Sequence, residues 1–491
     1  MTFLLPAFIV IPLASALLVL LLSRQKKPGV VAAANLAVFL LFIFSLGLYF
    51  VRPYNSIVLF NVERSLLLGG SCLVLDGLNH LFLLMSNFIG WLAMIYSIKY
   101  MQNYPKRESY FALLLIMIAG INGLLLTGNI FTLFVFMEIA SFSAYALIIF
   151  GDNKRGIEAA FKCFILGEIS SLLILIGIGI IFGLTNSFNM AVISQSFAAV
   201  DPRVKSLVLT LFIAGFGTKA ALVPFHSWLP DALSPSSISA LLSGIFIKTL
   251  GIYALVRIIF NVIGLTPQGS LALMALGAIS ILIGGILSVG QKDIKRLMAY
   301  SSISHIGTII AAFALATPLG LMGGMFHAFN HALIKPLLFF NAGAVEKGTG
   351  TRDLTKLGGL FSRIPIIAAT AMIGALAISG LPPFNGFWSK LFIIFAFAQA
   401  GNIFMALVVV AGSILTLAAY LKLLKGVFFG PVASEVKERT PLTMIMPLVV
   451  LAFVCFGIGL FVPLVSQYLI NPAVISVFNG TGYGKLILGV N

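Results

Sequence analysis

The chain has 491 residues, of which 60% are hydrophobic and only 9% are charged, and its mean hydropathy is +1.12. This composition excludes a set of soluble domains, because apolar runs of about 18 residues or more recur from end to end and each could cross a bilayer core of about 30 Å. The formal net charge of +16 does not indicate nucleic-acid binding, since the cations stand singly between apolar runs without interleaved aromatic residues.

The apolar runs are predicted to be helices, because unpaired backbone polar groups are costly in lipid and a β-barrel would show short alternating segments instead. The predicted fold class is therefore an all-α integral membrane protein with about 14 transmembrane helices. No soluble linker interrupts the series, so residues 1–491 are interpreted as a single polytopic membrane domain. The predicted spans are 2–23, 29–51, 76–98, 109–127, 129–150, 157–184, 204–228, 233–261, 268–290, 294–316, 318–346, 363–400, 402–429 and 441–468.

Three segments need a separate interpretation. Residues 2–22 lack a basic n-region and a small-residue cleavage site, so they are predicted to be the first span and not a cleaved signal. Residues 54–75 are too polar to span a membrane and are predicted to form an amphipathic hairpin. Residues 188–199 are predicted to form a short interfacial helix.

The positive charges predict an orientation. Nineteen of the 30 lysines and arginines lie in odd-numbered loops, six lie in even-numbered loops or the tail, and five lie inside spans. Arg257 is counted with the even-numbered loops. Because cytoplasmic loops are enriched in Lys and Arg, this split predicts that odd-numbered loops are cytoplasmic and that both termini lie outside.

Two spans are interrupted by glycine and proline, each beside a lysine. The seventh is predicted to break within 215–224, next to Lys219, and the twelfth within 379–390, next to Lys390. These spans are fourth in two blocks of five, residues 109–261 and 268–429, so the second block would run inverted across the membrane. Paired broken helices in inverted repeats indicate the ion site of a transporter, although an ordinary proline kink remains an alternative.

Ionisable side chains inside the spans are the candidate functional residues, because a charge at the bilayer centre costs roughly 2.5–3.5 kcal/mol on insertion scales. Such groups face a wet interior, pair with one another or exchange protons. His327, His331 and Lys335 follow at i, i+4 and i+8 and so share one helical face. The candidate proton path comprises Glu138, Lys219, Lys248, His305, His327, His331, Lys335 and Lys390.

Buried lysines suit proton transfer. Desolvation lowers the pKa of a lysine towards neutrality, whereas a neighbouring carboxylate keeps the lysine charged. Movement of Glu138 relative to Lys219 would therefore load and unload a proton. Structural explanations stay open: the two could form a purely structural pair, Lys248 could extend towards a helix end, and His305 and His327 could serve helix packing.

The remaining titratable residues carry weaker signals. His226 is interpreted as a structural residue of the broken helix, Lys162 and Glu158 as boundary residues, and Glu168 either extends the path or faces a partner. The three cysteines (Cys72, Cys163 and Cys455) form no C-x-x-C pair. The Walker, G-x-S-x-G and H-E-x-x-H patterns are absent, so no metal site, no cofactor and no catalytic centre is predicted in this chain.

Five motifs carry a family resemblance over roughly residues 75–430: M-E-I-A-S-F-S-A-Y, F-G-T-K-A-A-L-V-P-F-H-S-W-L-P-D-A, K-R-L-M-A-Y-S-S-I-S-H-I-G, H-A-F-N-H-A-L-I-K and S-G-L-P-P-F-N-G-F-W-S-K. The sequence resembles the antiporter-like subunits. These are the proton-pumping membrane subunits of respiratory complex I, the large subunits of Mrp-type sodium/proton antiporters, and their relatives in membrane-bound hydrogenases. The resemblance implies 14 helices with inverted five-helix repeats.

The resemblance also implies roles for individual residues. Glu138 matches the family's glutamate, Lys219 its first channel lysine and Lys248 its bridging lysine. His331 and Lys335 match the central relay, and Lys390 matches the terminal exit residue. The lysine at 390, where some members have glutamate, and the short tail after about residue 468 are similar to the D-type member of the Mrp antiporters and to hydrogenase-type homologues.

The favoured function is thus a proton-translocating subunit of a multi-subunit complex in a prokaryotic cell membrane. Its expected partners are other membrane subunits, including homologous antiporter-like subunits, together with protons, the lipid bilayer and, as an open alternative, sodium ions; nucleic acid is not expected. Whether it serves an oxidoreductase depends on the parent complex. Two rival functions are a stand-alone transporter of a small solute and a quinone-binding or scaffold subunit of a respiratory complex.

Overall fold

A computed structural model describes residues 4–23, 29–51, 58–61, 72–104, 106–150, 154–234, 238–431, 436 and 438–488, and most of these are helical. The longer helices are α1 (Ala7–Ser23), α2 (Val30–Val51), α3 (Gly77–Tyr100), α4 (Arg107–Leu126), α5 (Ile130–Ile149), α6 (Lys154–Thr185), α7 (Met190–Ser196), α8 (Pro202–Lys219), α9 (Trp228–Leu233), α10 (Ser239–Ile263), α11 (Pro267–Gly290), α12 (Ile294–Ala314), α13 (Pro318–Thr349), α14 (Pro365–Ser379), α15 (Asn385–Gln399), α16 (Ile403–Val427), α17 (Leu442–Leu460), α18 (Val462–Phe478) and α19 (Tyr483–Leu488).

The membrane character of the fold is confirmed. Within the described ranges, 10 helices are long and apolar enough to cross a bilayer, and three shorter apolar helices accompany them. Helix α13 is 32 residues long but is not among the 10, because His327, His331 and Lys335 lower the hydropathy of its sequence. The count of about 14 spans stays a prediction.

Both predicted helix breaks are present. Helix α8 ends at Lys219, and the chain then passes through Ala221, whose φ is 58°, before α9 begins at Trp228. Helix α14 ends at Ser379, where Gly380 adopts the left-handed conformation that favours glycine (φ 84°), and α15 begins at Asn385. The predicted twelfth span is therefore two helices.

The segments predicted not to span also form local structure. Strands β1 (Val58–Asn61) and β2 (Cys72–Leu75) pair in an antiparallel hairpin, with Val58 opposite Leu75; residues 62–71 lie outside the described ranges. Helix α7 lies within the predicted segment 188–199 and continues into a short 3₁₀ turn, Phe197–Ala199.

Helix α10 is the centre of the bundle, and all of its residues from Ser239 to Ile263 are buried. It approaches its neighbours closely through two glycines. A Cβ added to Gly251 would lie 2.5 Å from the Cα of Ala220, the residue that follows Lys219 in the chain. A Cβ added to Gly244 would lie 2.5 Å from the ring of Pro336, the residue that follows Lys335. The helix therefore packs between the first helix break and the middle of α13.

Arg257 corrects the charge count made from the sequence. It was assigned to an even-numbered loop, but it lies inside α10 with 2% of its side chain exposed. Its guanidinium pairs with Asp76 at 2.7 Å, and it faces the rings of Tyr253 and Tyr483 at 5.6 and 4.9 Å. Asp76 also caps the first turn of α3 by accepting from the Asn79 amide, so this ion pair connects α3, α10 and α19.

Candidate functional site

The first part of the site is the pair of Glu138 on α5 and Lys219 at the end of α8. Lys219 Nζ lies 3.6 Å from Glu138 Oε1 and donates a hydrogen bond to Ser141 Oγ at 3.2 Å. Ser171 on α6 donates to Glu138 Oε1 at 2.6 Å. Only 3% of the Lys219 side chain is exposed, and its position as the last residue of a half-helix places the cation at the negative end of the helix dipole.

Lys248 lies in a π-helical stretch of α10, Leu242–Tyr253, in which backbone hydrogen bonds join residues five positions apart. Its ammonium donates to the carbonyl oxygen of Ser243 within the same helix. The Ser243 hydroxyl lies 3.2 Å from that of Ser302 on α12. Widened helical turns of this kind are frequent at functional sites. Lys248 is therefore fully buried and is held by the backbone instead of a carboxylate.

Lys335 on α13 is the most fully bonded lysine of the site. Its ammonium donates to the Met298 carbonyl at 2.8 Å, to Ser301 Oγ at 3.1 Å and to Tyr420 OH at 3.0 Å. It also lies 5.5 Å from the centre of the Tyr420 ring. An ammonium group has three donors, so its hydrogen-bonding capacity is filled without a counter-ion.

Three histidines lie between the lysines. His305 Nδ1 is 3.0 Å from His327 Nε2, and His327 Nδ1 is 2.9 Å from Ser389 Oγ. The ring of His331 lies 5.4 Å from that of His305, and neither of its ring nitrogens has a hydrogen-bond partner in the protein. Buried polar groups are usually bonded, so His331 retains a donor and an acceptor that it can offer to another group. His305 and His327 thus form a chain that ends at Ser389, the residue before Lys390.

Lys390 lies on α15, just after the second helix break. Its ammonium donates to the carbonyl oxygen of Ser379, the last residue of α14, at 3.1 Å. Beside it is a cavity of about 220 Å³, which is lined by Ser379, Gly380, Phe387, Lys390, Leu391, Ile394, Val410, Ser413, Ile414 and Leu417. The terminal lysine therefore combines a helix-end carbonyl partner with open space.

The structure places the eight candidate residues in two groups, and all but the partly exposed Glu138 are buried. Glu138 and Lys219 form the first group as an ion pair with serine partners. The three other lysines and the three histidines form the second group, and the hydrogen bonds described for it involve hydroxyl groups, imidazoles and backbone carbonyls.

Several polar residues of the site were missed in the sequence. The hydroxyl groups of Ser171, Ser301, Ser389 and Tyr420 bond to the candidate residues, but single serines and tyrosines are common in membrane helices. Ser141 had a usable signal, since it lies three residues after Glu138 and thus on the same helical face.

The residues with weaker sequence signals occupy other places. Lys162 is 48% exposed and pairs with Glu158 at 2.7 Å and with Asp231 at 3.2 Å, as expected for a boundary residue. His226 is half-buried in the segment between α8 and α9. In the ranges that the structure covers, no group of three or more His, Cys, Asp and Glu residues could hold a metal ion.

The comparisons with known protein families cover the whole site. Residues 127–416, which include all eight candidates, match the family described as "NADH:quinone oxidoreductase/Mrp antiporter, TM". Residues 71–111 match the family described as "NADH-Ubiquinone oxidoreductase (complex I), chain 5 N-terminus".

Individual proteins are similar over most of the chain. The N subunit of the NADH-quinone oxidoreductase of Desulforudis audaxviator is 34% identical over 480 residues, which cover 92% of this chain and 95% of the relative. The D-type Na(+)/H(+) antiporter protein of Alkalihalophilus pseudofirmus is 28% identical over 411 residues, which cover 82% and 83%. A chain in the structure of the Mrp complex from a Dietzia species has a TM-score of 0.92 and 27% identity over 99% of both chains.

Proposed function

Since the chain belongs to the NADH:quinone oxidoreductase/Mrp antiporter family, we propose that it is a proton-translocating, antiporter-like subunit of a multi-subunit membrane complex. The observation that carries this proposal is the row of protonatable groups from Glu138 to Lys390, of which all but Glu138 are buried. A charged or proton-exchanging group inside a membrane protein indicates an ion pathway by default, and this chain has eight of them.

Proton uptake takes place at Glu138 and Lys219. While the carboxylate lies 3.6 Å from the ammonium, it favours the charged form of the lysine. When the carboxylate moves away, Lys219 is left buried with only the Ser141 hydroxyl as an acceptor, and its proton leaves for the interior. Lys248 on the central helix α10 receives it.

The middle of the path runs through α12 and α13. His331 has free bonding capacity and lies near His305, while His305, His327 and Ser389 are connected by short contacts. A neutral imidazole carries one donor and one acceptor, so it can take a proton on one nitrogen and release it from the other. Lys335 stores the positive charge among Ser301, Tyr420 and the Met298 carbonyl.

Lys390 is the exit group. A proton arriving on Lys335 repels the charge on Lys390, because Lys390 acts on Lys335 and no carboxylate among the described residues acts on Lys335 to offset it. The cavity of about 220 Å³ beside Lys390 has room for the water that would accept the released proton.

The finer topology belongs to the same proposal. We propose 14 spans in which 109–261 and 268–429 form inverted repeats, both termini outside, in the cell membrane of a prokaryote. The two helix breaks support the repeats, since each stands beside a lysine of the path. The parent complex is either an Mrp-type sodium/proton antiporter or a redox-driven pump of the hydrogenase or complex I type.

Purification in mild detergent, with identification of the co-purifying subunits and iron and nickel analysis, distinguishes the two parent complexes. Iron–sulfur subunits would indicate a redox-driven pump. Small hydrophobic partners alone would indicate an Mrp assembly.

The exit role is tested by substitutions at Lys390 in the assembled complex. Lys390→Ala is expected to abolish proton movement in membrane vesicles, and Lys390→Glu is expected to retain part of it because an acid can also exchange protons. Lys390→Met keeps the length of the side chain without the charge. A fully active Lys390→Met would show that Lys390 only fills the helix break, and the proposed exit would be wrong.

A further inference from the structure

A second carboxyl group lies beside the Glu138–Lys219 pair, and the mechanism above does not use it. Glu168 is on α6, three residues before Ser171, which donates to Glu138. The two helices are in close contact here, because a Cβ added to Gly167 would lie 1.9 Å from the Tyr145 hydroxyl on α5. The α6 backbone therefore holds Glu168 against the helix that carries Glu138.

Buried carboxyl oxygens of Glu168 and Glu138 are left without partners. Glu168 Oε1 and Glu138 Oε2 are both buried and have no hydrogen-bond partner among the described residues. Ser171 lies one turn after Glu168 on the same face of α6 and donates to Glu138 Oε1, so the two carboxyl groups face the same space between α5 and α6. An ionised carboxylate only accepts, so a hydrogen bond between two carboxyl groups requires that one of them is protonated.

The charge balance gives the same result. Among the described residues, the charges that act on Glu168 are those of Glu138 from α5 and Lys219 from α8. The side chains of the nearby Cys163 and Tyr145 are ordinarily neutral near pH 7. Asp231 of α9 forms ion pairs with Lys162 and Arg296. With both carboxyl groups ionised the site would carry a net negative charge inside the membrane, whereas one added proton makes it neutral.

We propose that Glu168 and Glu138 hold one proton in common next to Lys219, so that Glu168 is a second proton-binding residue of the uptake site. This inference rests on the proposed function. When Lys219 has lost its proton to Lys248, an O–H bond of the carboxyl pair breaks and an N–H bond forms on Lys219. The pair then regains a proton from outside the site.

Glu168 lies at the border between the buried and the exposed face of α6. The residue is half-buried, and its neighbours Ile165 and Ile169 on the same helix are 41% and 50% exposed.

Labelling with a hydrophobic carbodiimide tests for the shared proton, because this reagent modifies protonated carboxyl groups and not ionised ones. In the assembled complex at neutral pH, we expect peptide mapping to find the label on Glu168 or Glu138. In Glu168→Gln, Glu138 keeps Lys219 and the Ser171 hydroxyl as partners and has no second carboxyl group beside it, so it stays ionised and its labelling should fall by about tenfold or more. The control is Glu158→Gln on the same helix, where 65% of the side chain is exposed; it should leave the labelling unchanged.

Absence of label from both Glu168 and Glu138 would overturn the shared proton. So would unchanged labelling of Glu138 in Glu168→Gln.

Transport measurements separate this inference from the proposed function. Glu168→Gln should change the pH profile of coupled transport, and Glu168→Asp should restore it, since only the aspartate can bind a proton. If Glu138→Gln is inactive while Glu168→Gln has the wild-type pH profile, the role of Glu168 is wrong and the proposed path stands. If Glu138→Gln and Lys219→Ala are both fully active, the proposed function itself fails.

Discussion

Replacement of Glu138 by glutamine is the most direct perturbation of the proposed uptake site. The substitution keeps the size of the side chain and its capacity to accept from Ser171, so the packing of α5 against α6 should persist. It removes the negative charge that lies 3.6 Å from Lys219 Nζ. The change is therefore almost purely electrostatic.

The magnitude follows from the distance between the charges. At 3.6 Å and an effective dielectric constant of about 20, the attraction between Glu138 and Lys219 is about 4–5 kcal/mol. At about 1.4 kcal/mol per tenfold, loss of this attraction lowers the ratio of charged to neutral Lys219 by roughly three orders of magnitude. Since Lys219 can lose its proton when its nearest carboxylate is removed, we expect the complex to assemble but the charged form of Lys219 to be depleted.

Proton-coupled transport in membrane vesicles, followed with a pH-sensitive dye, measures the consequence. Glu138→Gln should lower the initial rate by roughly a hundredfold, within the range found for groups that transfer protons directly. Glu138→Asp moves the carboxylate to about 5 Å, where the attraction is still about 3 kcal/mol, so part of the activity should remain.

The control for this experiment is the exposed Glu158, whose replacement by glutamine should leave transport unchanged. Comparable amounts of assembled complex must be confirmed for each variant. Normal transport by assembled Glu138→Gln would refute the uptake role, because the carboxylate of Glu138 would then not be needed to keep Lys219 charged.

Two further predictions concern topology and stability. Cysteines introduced in 24–28 and in 350–356 should both be labelled from the cytoplasmic side; labelling from opposite sides would disprove both the 14-span topology and the inverted repeat. Arg257→Met should lower the thermal stability of the detergent-solubilised protein, because leaving Asp76 buried without its partner costs about 3–5 kcal/mol. The double variant Asp76→Asn, Arg257→Met should recover part of that loss, and no recovery would contradict the pairing.

Much of the candidate site was predictable because a membrane makes buried charges conspicuous. Four charged residues lie inside apolar runs: Glu138, Lys219, Lys248 and Lys390. The free-energy cost of placing such charges in a membrane has to be offset by pairing or explained by function. The helix breaks beside Lys219 and Lys390 were also predictable, since glycine and proline mark the positions where a helix stops.

The same reasoning failed at Arg257. This residue stands near the end of an apolar run, where cations usually reach the membrane surface, and the sequence does not reveal that Asp76 lies beside it. The two residues are 181 positions apart, and only the packing of α3 against α10 makes the pair. The hydroxyl partners of the lysines escaped notice for the same reason, since Ser301 and Tyr420 reach Lys335 from other helices.

The sequence by itself determined the membrane class, the approximate helix boundaries, the two breaks and the eight candidate residues, because hydrophobicity and backbone chemistry act locally along the chain. The tertiary structure decided which of these residues face one another. It brought Lys219 to 3.6 Å from Glu138, and it gave the remaining lysines hydroxyl groups and backbone carbonyls as partners. The physical reason is that the energy of a buried charge depends on the atoms within a few ångströms of it, and these come from helices far apart in the chain.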